Sequence, residues 1–228
     1  MEIQNAVTVI TGASRGLGKS LAKTFIQRGA KVILCSNNEE ELKMIAHELG
    51  GMPVLCDVTD EQQVLHVADV ATKVFGRLDL WINNAGIWIP HMPADEMDLS
   101  KVHQMVEVNL FGTIHGCRAA LSIMKPQHHG AIVNILSTSA LRGRPGSSGY
   151  CASKYAAVGF TKSLRMEVAP EIRVFGVYPG GMKTEIFGQF RPEGYDHFMD
   201  PDAFAEKVVE NLCSENPEEE FVIERIEA

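Results

Sequence analysis

Residues 6–18 of the 228-residue chain read AVTVITGASRGLG. The first six of these residues are apolar or β-branched, which predicts a strand that is buried on both faces. From residue 16 onward apolar residues recur at helical spacing as far as residue 28, and Gly29 then ends the pattern. The stretch therefore predicts a strand over 6–11 that passes through a glycine-rich turn into a helix over 16–28.

The predicted turn contains Gly12, Gly16 and Gly18, spaced GxxxGxG rather than in the commoner GxGxxG arrangement. A tight turn from strand to helix favours residues without a Cβ, and Gly18 would let the helix pack close to the sheet. The first N–H groups of the helix then point outward at its positive end, where they can bind an anion such as a phosphate. A merely tight turn is the alternative, but the strand before it and the helix after it favour phosphate binding.

Short β-branched runs alternate with longer helical patterns along the rest of the chain. Further strands are predicted over 31–36, 53–56, 78–83, 131–136, 172–178 and 220–223. Further helices are predicted over 39–49, from a cap at Thr59 to residue 75, and over 99–124, 149–169 and 201–212. This alternation with short connections predicts an α/β fold, in which one doubly wound parallel sheet of Rossmann-like type carries helices on both faces. We expect residues 1–228 to form a single domain.

The composition argues against several classes of protein. Hydrophobic residues make up 45% and charged residues 22% of the chain, as in an ordinary globular protein. The formal net charge of −8 disfavours a nucleic-acid partner, which would normally require a basic patch. No apolar run reaches the roughly 18 residues that cross a bilayer, and the N-terminus lacks a signal-peptide pattern. We therefore expect a soluble, cytoplasmic protein without a membrane partner.

The five cysteines are widely spaced and form no CxxC pair, and the eight histidines form no HExxH motif. A disulfide framework or a zinc site would need closer, paired spacing. We expect neither disulfides nor a bound metal.

Four motifs together resemble the short-chain dehydrogenases/reductases. They are TGASRGLG (residues 11–18), NNAG (83–86), the serine at the end of the predicted strand over 131–136, and YCASK (150–154). The resemblance extends over residues 5–212, with the motifs in the order and spacing of that family. It implies an oxidoreductase that exchanges hydride between a nicotinamide dinucleotide and a carbonyl or alcohol group.

Tyr150 and Lys154 are four residues apart in a helical pattern, so both project from one face of the helix. A nearby ammonium favours the phenolate, so we expect Lys154 to lower the pKa of Tyr150 toward a useful range. The alternative is an exposed tyrosine beside a surface lysine.

The resemblance implies two further catalytic residues. Ser137 would hold the substrate oxygen, although Thr138 and Ser139 lie close enough to compete for that assignment. Asn109 would hold a water molecule that links Lys154 to solvent. Its spacing alone instead favours a bond between Asn109 and the backbone of its own helix.

The resemblance also implies a set of residues that bind the dinucleotide. They are Gly12, Ser14, Arg15, Gly16, Leu17, Gly18, Ser36, Asn37, Asp57, Val58, Asn84, Ala85, Gly86, Tyr150, Lys154, Pro179, Gly180 and Thr184.

The end of the second predicted strand bears on the choice between NADP(H) and NAD(H). NAD-binding proteins place a carboxylate there for the ribose 2′-hydroxyl, whereas this chain has no acid before Glu39. A 2′-phosphate would then meet no repulsive charge, Ser36 and Asn37 could donate hydrogen bonds to it, and Arg15 matches a basic position of NADP-preferring members. We favour NADP(H) over NAD(H).

The predicted substrate is a small carbonyl or alcohol compound with apolar bulk, and the protein is expected to act as a homodimer or homotetramer. The candidate wall of the substrate pocket comprises Trp88, Ile89, Met92, Leu141, Ile186, Phe187 and Phe190. Arg142 and Arg144 could contact an anionic substrate, or could simply be solvated. The predicted function is that of an NADP(H)-dependent carbonyl reductase. The alternatives are an NAD-linked secondary alcohol dehydrogenase and a catalytically silent dinucleotide-binding sensor.

Overall fold

The computed structural model describes residues 1–224 and contains one seven-stranded sheet. In chain order the strands are β1 Val7–Thr11, β2 Lys31–Ser36, β3 Met52–Leu55, β4 Leu80–Asn83, β5 Gly130–Ile135, β6 Ile172–Pro179 and β7 Glu220–Ile223. They lie in the order β3-β2-β1-β4-β5-β6-β7, and every neighbouring pair is parallel. The predicted doubly wound α/β fold is confirmed. The last four residues of the predicted domain, 225–228, lie outside the described range.

Seven α-helices connect these strands. They are α1 Gly16–Gln27, α2 Glu39–Leu49, α3 Glu61–Phe75, α4 Leu99–Val106, α5 Gly112–Gln127, α6 Ser148–Val168 and α7 Pro201–Cys213. Within residues 1–224 none of them combines the length and the apolar character needed to cross a membrane.

The strands alternate their side chains between two apolar cores, which explains why their sequences are almost continuously hydrophobic. Ile10 points into the core beneath α1, α2 and α7, whereas Val9 points into the core beneath α3, α5 and α6. Both side chains are fully buried. Helices therefore cover both faces of the sheet and leave its ends open to solvent.

The cap of α3 is Asp60 rather than the predicted Thr59. The Asp60 Oδ1 atom accepts hydrogen bonds from the main-chain nitrogens of Gln62 and Gln63, at 2.9 and 3.2 Å. The Thr59 hydroxyl instead donates to Asp57, at 2.8 Å. Thr59 is therefore bound to the loop before the helix and is not available as its cap.

The predicted helix over 99–124 is interrupted. A π-helical turn over Glu107–Phe111 separates α4 from α5, and it contains Asn109. Such turns place an extra residue in the helix and are frequent near functional sites. The interruption points the Asn109 side chain toward the loop that follows β4.

Candidate active site

A cleft of about 880 Å³ lies at the carboxyl ends of the strands, where ligands bind in open parallel sheets. Its walls come from the loops after β1, β2, β3, β4, β5 and β6. Every residue that the sequence predicts for catalysis or dinucleotide binding lines this cleft, with the exception of Asn109. The structure thus brings together residues from most of the chain. No group of three His, Cys, Asp or Glu side chains within residues 1–224 is arranged to hold a metal ion.

The glycine-rich turn forms one end of the cleft. Gly12 adopts a φ of +64°, and a Cβ there would lie 2.9 Å from the Cα of Ala85. A Cβ on Gly18 would lie 2.8 Å from the carbonyl carbon of Gly12, well inside van der Waals contact. Side chains at either position would therefore fill or displace the turn. The cradle fits a phosphate group held by main-chain N–H groups at the start of α1.

The loop after β4 holds the glycine-rich turn in place. The Asn84 Nδ2 atom donates hydrogen bonds to the carbonyl oxygens of Thr11 and Gly12, at 2.9 and 3.2 Å. The Thr11 hydroxyl oxygen in turn accepts from the main-chain nitrogens of Asn84 and Ala85, both at 3.0 Å. The NNAG segment therefore fixes the shape of the turn as well as lining the cleft.

Ser137, Tyr150 and Lys154 lie together at the centre of the cleft. Ser137 follows β5, and its oxygen accepts a 3.1 Å hydrogen bond from the main-chain nitrogen of Ser139. Tyr150 and Lys154 lie on consecutive turns at the start of α6. Lys154 is only 6% exposed, and its Nζ atom donates to the carbonyl oxygen of Ile135 at 3.1 Å. The arrangement places a hydroxyl, a phenol and a buried amine on one wall.

The ionisation of this group differs from the prediction. The pKa of Tyr150 is raised above its ordinary value of 10.0, mainly by burial, while the hydroxyl of Ser137 and the charge of Arg144 act in the opposite direction. Burial lowers the pKa of Lys154 itself to about 8. The amine is directed at the main-chain oxygen of Ile135, and the pKa of Tyr150 is raised rather than lowered as predicted.

Asn109 is buried against the loop that follows β4. It is 1% exposed, and its side-chain amide pairs with both main-chain groups of Ile87, accepting from the nitrogen at 2.8 Å and donating to the oxygen at 2.9 Å. A second donated bond goes to the Ser153 hydroxyl at 3.1 Å. These partners lie outside its own helix backbone, which was the alternative for this side chain. Because the amide is engaged in these bonds, Asn109 fixes the loop after β4 instead of lining the cleft.

A carboxylate that the sequence argument did not assign to the site lies at the other end of the cleft. The half-buried Glu41 lines the cleft beside the end of β2, and its Oε2 atom accepts a 3.1 Å hydrogen bond from the Ser14 hydroxyl. The Ser36 hydroxyl donates to Ser14 at 3.0 Å. The expectation that this region holds no negative charge is therefore wrong. Ser36 is also already committed as a donor within the protein.

A signal for this placement exists in the sequence. Asn38 caps α2 by accepting from the nitrogen of Glu41, at 3.2 Å, so Glu41 is the third residue of the helix. A glutamate at that position characteristically folds back toward the start of the helix. The spacing Asn38-x-x-Glu41 therefore predicts that the carboxylate turns toward the end of β2.

The substrate end of the cleft is aromatic. Of the predicted wall, Trp88, Ile186 and Phe187 line the cleft, whereas Ile89, Met92, Leu141 and Phe190 are not among its lining residues. The Trp88 and Phe187 rings pack edge to face with centroids 5.1 Å apart. His91, Met182, Pro192 and Phe198 also line this region and were not predicted.

The two candidate arginines have different surroundings. Arg142 forms an ion pair with Glu224 at 3.3 Å. Arg144 lines the cleft, and its Nη2 atom lies 3.4 Å from the Thr138 hydroxyl.

Comparison with known proteins gives consistent results. A profile of the family described as short chain dehydrogenase matches residues 6–194. An uncharacterized oxidoreductase of Staphylococcus saprophyticus is 33% identical in an alignment of 238 positions that covers 98% of this chain and 96% of that protein.

Solved structures agree closely with the fold. The crystal structure of 3-ketoacyl-(acyl-carrier-protein) reductase from Brucella melitensis complexed with NADH superposes with a TM-score of 0.87, at 30% identity, covering 93% of this chain and 92% of that one. An alcohol dehydrogenase from the archaeon Thermococcus sibiricus, complexed with 5-hydroxy-NADP, gives a TM-score of 0.85 at 28% identity, covering 96% and 94%.

Proposed function

The chain belongs to the short-chain dehydrogenase family of oxidoreductases, and from this premise we propose that it transfers hydride between NADP(H) and a carbonyl compound or the corresponding secondary alcohol. The observation that carries the proposal is the shared cleft. Ser137, Tyr150 and Lys154 lie on one wall of a cleft whose far end is the glycine-rich turn.

The proposed binding residues suit a dinucleotide. The turn at Gly12 and Gly18 leaves room for a phosphate, and Asp57 and Val58 line the cleft where the adenine would lie. Asn84, Ala85, Gly86, Pro179, Gly180 and Thr184 complete the wall toward the catalytic residues. When bound, the nicotinamide supplies the hydride for reduction or accepts it in oxidation.

The roles of the catalytic residues follow from their ionisation. Because the pKa of Tyr150 is raised, its phenol is protonated at neutral pH and can donate a proton to a carbonyl oxygen that gains negative charge. The Ser137 hydroxyl, fixed by Ser139, can hydrogen-bond the same oxygen. Lys154 remains charged below about pH 8 and adds positive charge near the developing negative charge. We propose Asn109 as a positioning residue for the loop beside Lys154.

Substrate choice follows from the aromatic wall. The edge-to-face pair of Trp88 and Phe187, with Ile186 beside it, favours a ketone or aldehyde that carries an apolar group. The preference for NADP(H) is supported by Arg15, which is exposed and lines the cleft next to the turn.

We further propose that residues 1–228 form a single cytoplasmic domain that assembles as a homodimer or homotetramer. Two exposed aromatic side chains support the assembly. Phe111 lies in the turn that leads into α5 and Tyr155 lies in α6, and each is more than 40% exposed although it is large and apolar enough to be covered by a second copy of the chain. Neither a nucleic acid nor a membrane is part of the proposal.

A direct spectrophotometric assay tests the proposed function. The purified protein is incubated with NADPH and a panel of apolar ketones, aldehydes and quinones, and the loss of NADPH absorbance is followed. We expect turnover with at least one apolar carbonyl compound and slower turnover with NADH at low dinucleotide concentration. Binding of a dinucleotide without turnover of any substrate would favour a catalytically silent sensor. Equal or faster turnover with NADH would favour an NAD-linked dehydrogenase.

A further inference from the structure

The end of the cleft next to β2 contains a chain of hydrogen bonds that ends on a carboxylate. The main-chain nitrogen of Asn38 donates to the Ser36 hydroxyl at 3.1 Å, Ser36 donates to Ser14 at 3.0 Å, and Ser14 donates to Glu41 at 3.1 Å. Each hydroxyl proton is thus directed toward Glu41. The two serines are buried and line the cleft together with the carboxylate.

The first turn of α2 carries Glu39 and Glu40 as well as Glu41, but neither Glu39 nor Glu40 lines the cleft. Lys19 on α1 forms an ion pair with Glu48 at 3.0 Å, and Lys43 forms one with Glu39 at 2.6 Å. Arg15 is the basic residue that lines this end of the cleft, because the other basic lining residues, Arg144 and Lys154, lie at the substrate end. Of the side chains from the glycine-rich turn and the first turn of α2, Arg15 and Glu41 are the charged ones that line the cleft, and Asp57 adds a carboxylate from the loop after β3.

In a doubly wound sheet this position, between the glycine-rich turn and the end of the second strand, receives the ribose next to the adenine. A carboxylate there accepts hydrogen bonds from the two ribose hydroxyls, but it repels a phosphate on the 2′ oxygen. Arg15 has the reverse effect. The two side chains therefore act in opposite directions on the choice between NAD(H) and NADP(H).

We propose that Glu41 is a specificity-determining residue for the dinucleotide, and that its carboxylate limits the preference for NADP(H) that Arg15 confers. This inference rests on the proposed function, since it concerns the ligand of the same cleft. Ser14 and Ser36 act as positioning residues, because they hold the carboxylate against the wall.

Isothermal titration of the full-length protein with NADP⁺ and with NAD⁺ tests the proposal without relying on activity. Glu41→Gln removes the charge but keeps an acceptor oxygen within reach of Ser14. Glu40→Gln is the matched control, because Glu40 is on the same helical turn, is exposed and is not among the residues that line the cleft. Arg15→Gln tests the opposing charge.

We expect Glu41→Gln to tighten NADP⁺ binding about tenfold, the size expected for one like charge near a partly solvated phosphate. In the same Glu41→Gln variant, NAD⁺ binding should weaken by a few-fold. Arg15→Gln should weaken the binding of NADP⁺ without weakening the binding of NAD⁺. The difference in NADP⁺ affinity between wild type and Glu41→Gln should become smaller as the salt concentration is raised, because salt screens the repulsion between Glu41 and the 2′-phosphate. Melting temperatures of all variants show whether each one is folded.

The outcomes separate the two proposals. If wild type binds a dinucleotide but Glu41→Gln changes the NADP⁺ affinity no more than Glu40→Gln does, the role of Glu41 is wrong and the proposed function stands. A difference in NADP⁺ affinity between wild type and Glu41→Gln that stays the same at all salt concentrations also contradicts the role of Glu41. If wild type binds neither dinucleotide, the proposed function fails, and the inference fails with it.

Discussion

The amine of Lys154 donates a 3.1 Å hydrogen bond to the main-chain oxygen of Ile135, the last residue of β5. This bond connects the second turn of α6 to the end of the sheet, directly beside Ser137. It also keeps the amine buried, and burial is the cause of its lowered pKa of about 8. The contact therefore fixes the position of the amine in the candidate active site, while burial sets the pH at which the amine loses its charge.

The first prediction concerns the pH dependence of catalysis. The value of kcat/KM for NADPH reports ionisations of the free enzyme, and Lys154 loses its proton as the pH rises through about 8. We expect kcat/KM to be level near neutral pH and to fall above pH 8. In Lys154→Arg the guanidinium stays charged, so this fall should move to higher pH even if the overall rate is lower.

Both proteins are measured in the same series of buffers between neutral and alkaline pH, with melting temperatures recorded at each pH. An identical fall near pH 8 in wild type and Lys154→Arg would assign the ionisation to another group.

The second prediction concerns stability. Folding lowers the pKa of Lys154 from 10.5 to about 8, so the unfolded chain binds this proton more tightly than the folded chain does. The buried charge therefore lowers the free energy of unfolding by its full amount below pH 8, and this destabilisation disappears as the pH rises from 8 to 10.5. The difference corresponds to about 3 kcal/mol in the free energy of unfolding.

Lys154→Met removes the titrating group and keeps a similar volume. We expect the stability of wild type relative to Lys154→Met to increase by up to about 3 kcal/mol between neutral pH and pH 10.5, as measured by urea unfolding. Other groups titrate in both proteins and cancel in the comparison. A difference that does not change with pH would show that the amine is not perturbed by burial.

The features that the sequence predicted are those determined by residues close together in the chain. Periodicity predicted the fold because Val9 and Ile10 are both apolar, and only a strand covered on both faces buries two adjacent side chains in different cores. The glycine-rich turn was equally predictable, because the main-chain N–H groups would bind the phosphate and the glycines have no side chains that could block it. Such features are local in sequence.

Features that depend on long-range contacts were not predictable in the same way. Asn109 pairs with Ile87 across 22 residues, and the π-helical turn that points it there has no signal in the helical pattern. The direction of the Lys154 amine depends on Ile135, which is 19 residues away. Glu41 was not predicted for a different reason: it lies in α2, beyond the end of β2, and reaches the cleft through its hydrogen bond from Ser14 on the glycine-rich turn.

The third prediction concerns the proton donor. Tyr150→Phe removes the phenolic oxygen and keeps the ring, so we expect kcat to fall about a thousandfold while NADP⁺ binding and the melting temperature remain close to those of wild type. Tyr155→Phe is the matched control, since Tyr155 lies in the same helix but is 44% exposed and does not line the cleft. Turnover by Tyr150→Phe at the rate of the control would contradict the assigned role.

The fourth prediction separates Ser137 from its neighbours. The Ser137 oxygen accepts from the main-chain nitrogen of Ser139, and its hydroxyl faces the phenol of Tyr150, so both groups can reach the same substrate oxygen. We expect Ser137→Ala to lower kcat about a hundredfold, a typical loss for one donor to a developing negative charge. Ser139→Ala keeps its main-chain donor and should lose far less activity. Comparable losses in steady-state assays of the two variants would mean that the assignment to Ser137 is wrong.

The fifth prediction tests the glycine-rich turn with two glycines that differ in their surroundings. A Cβ on Gly18 would lie 2.6 Å from the Asn84 side-chain nitrogen as well as overlapping the backbone of Gly12, whereas a Cβ on Gly159 in α6 meets no atom within 4 Å. Gly18→Ala should therefore lower the free energy of unfolding by about 1–3 kcal/mol, as overpacking does. It should also weaken NADP⁺ binding at least severalfold, because the turn must open.

Gly159→Ala should instead raise the free energy of unfolding by about 0.4–1 kcal/mol, since alanine restricts the unfolded chain and fits an exposed helical position. Its affinity for NADP⁺ should not change. Urea unfolding and isothermal titration of both variants provide the comparison. If Gly18→Ala bound NADP⁺ as tightly as Gly159→Ala, the close approach of α1 to the turn would not be required for binding, and the phosphate would have to be held elsewhere in the cleft.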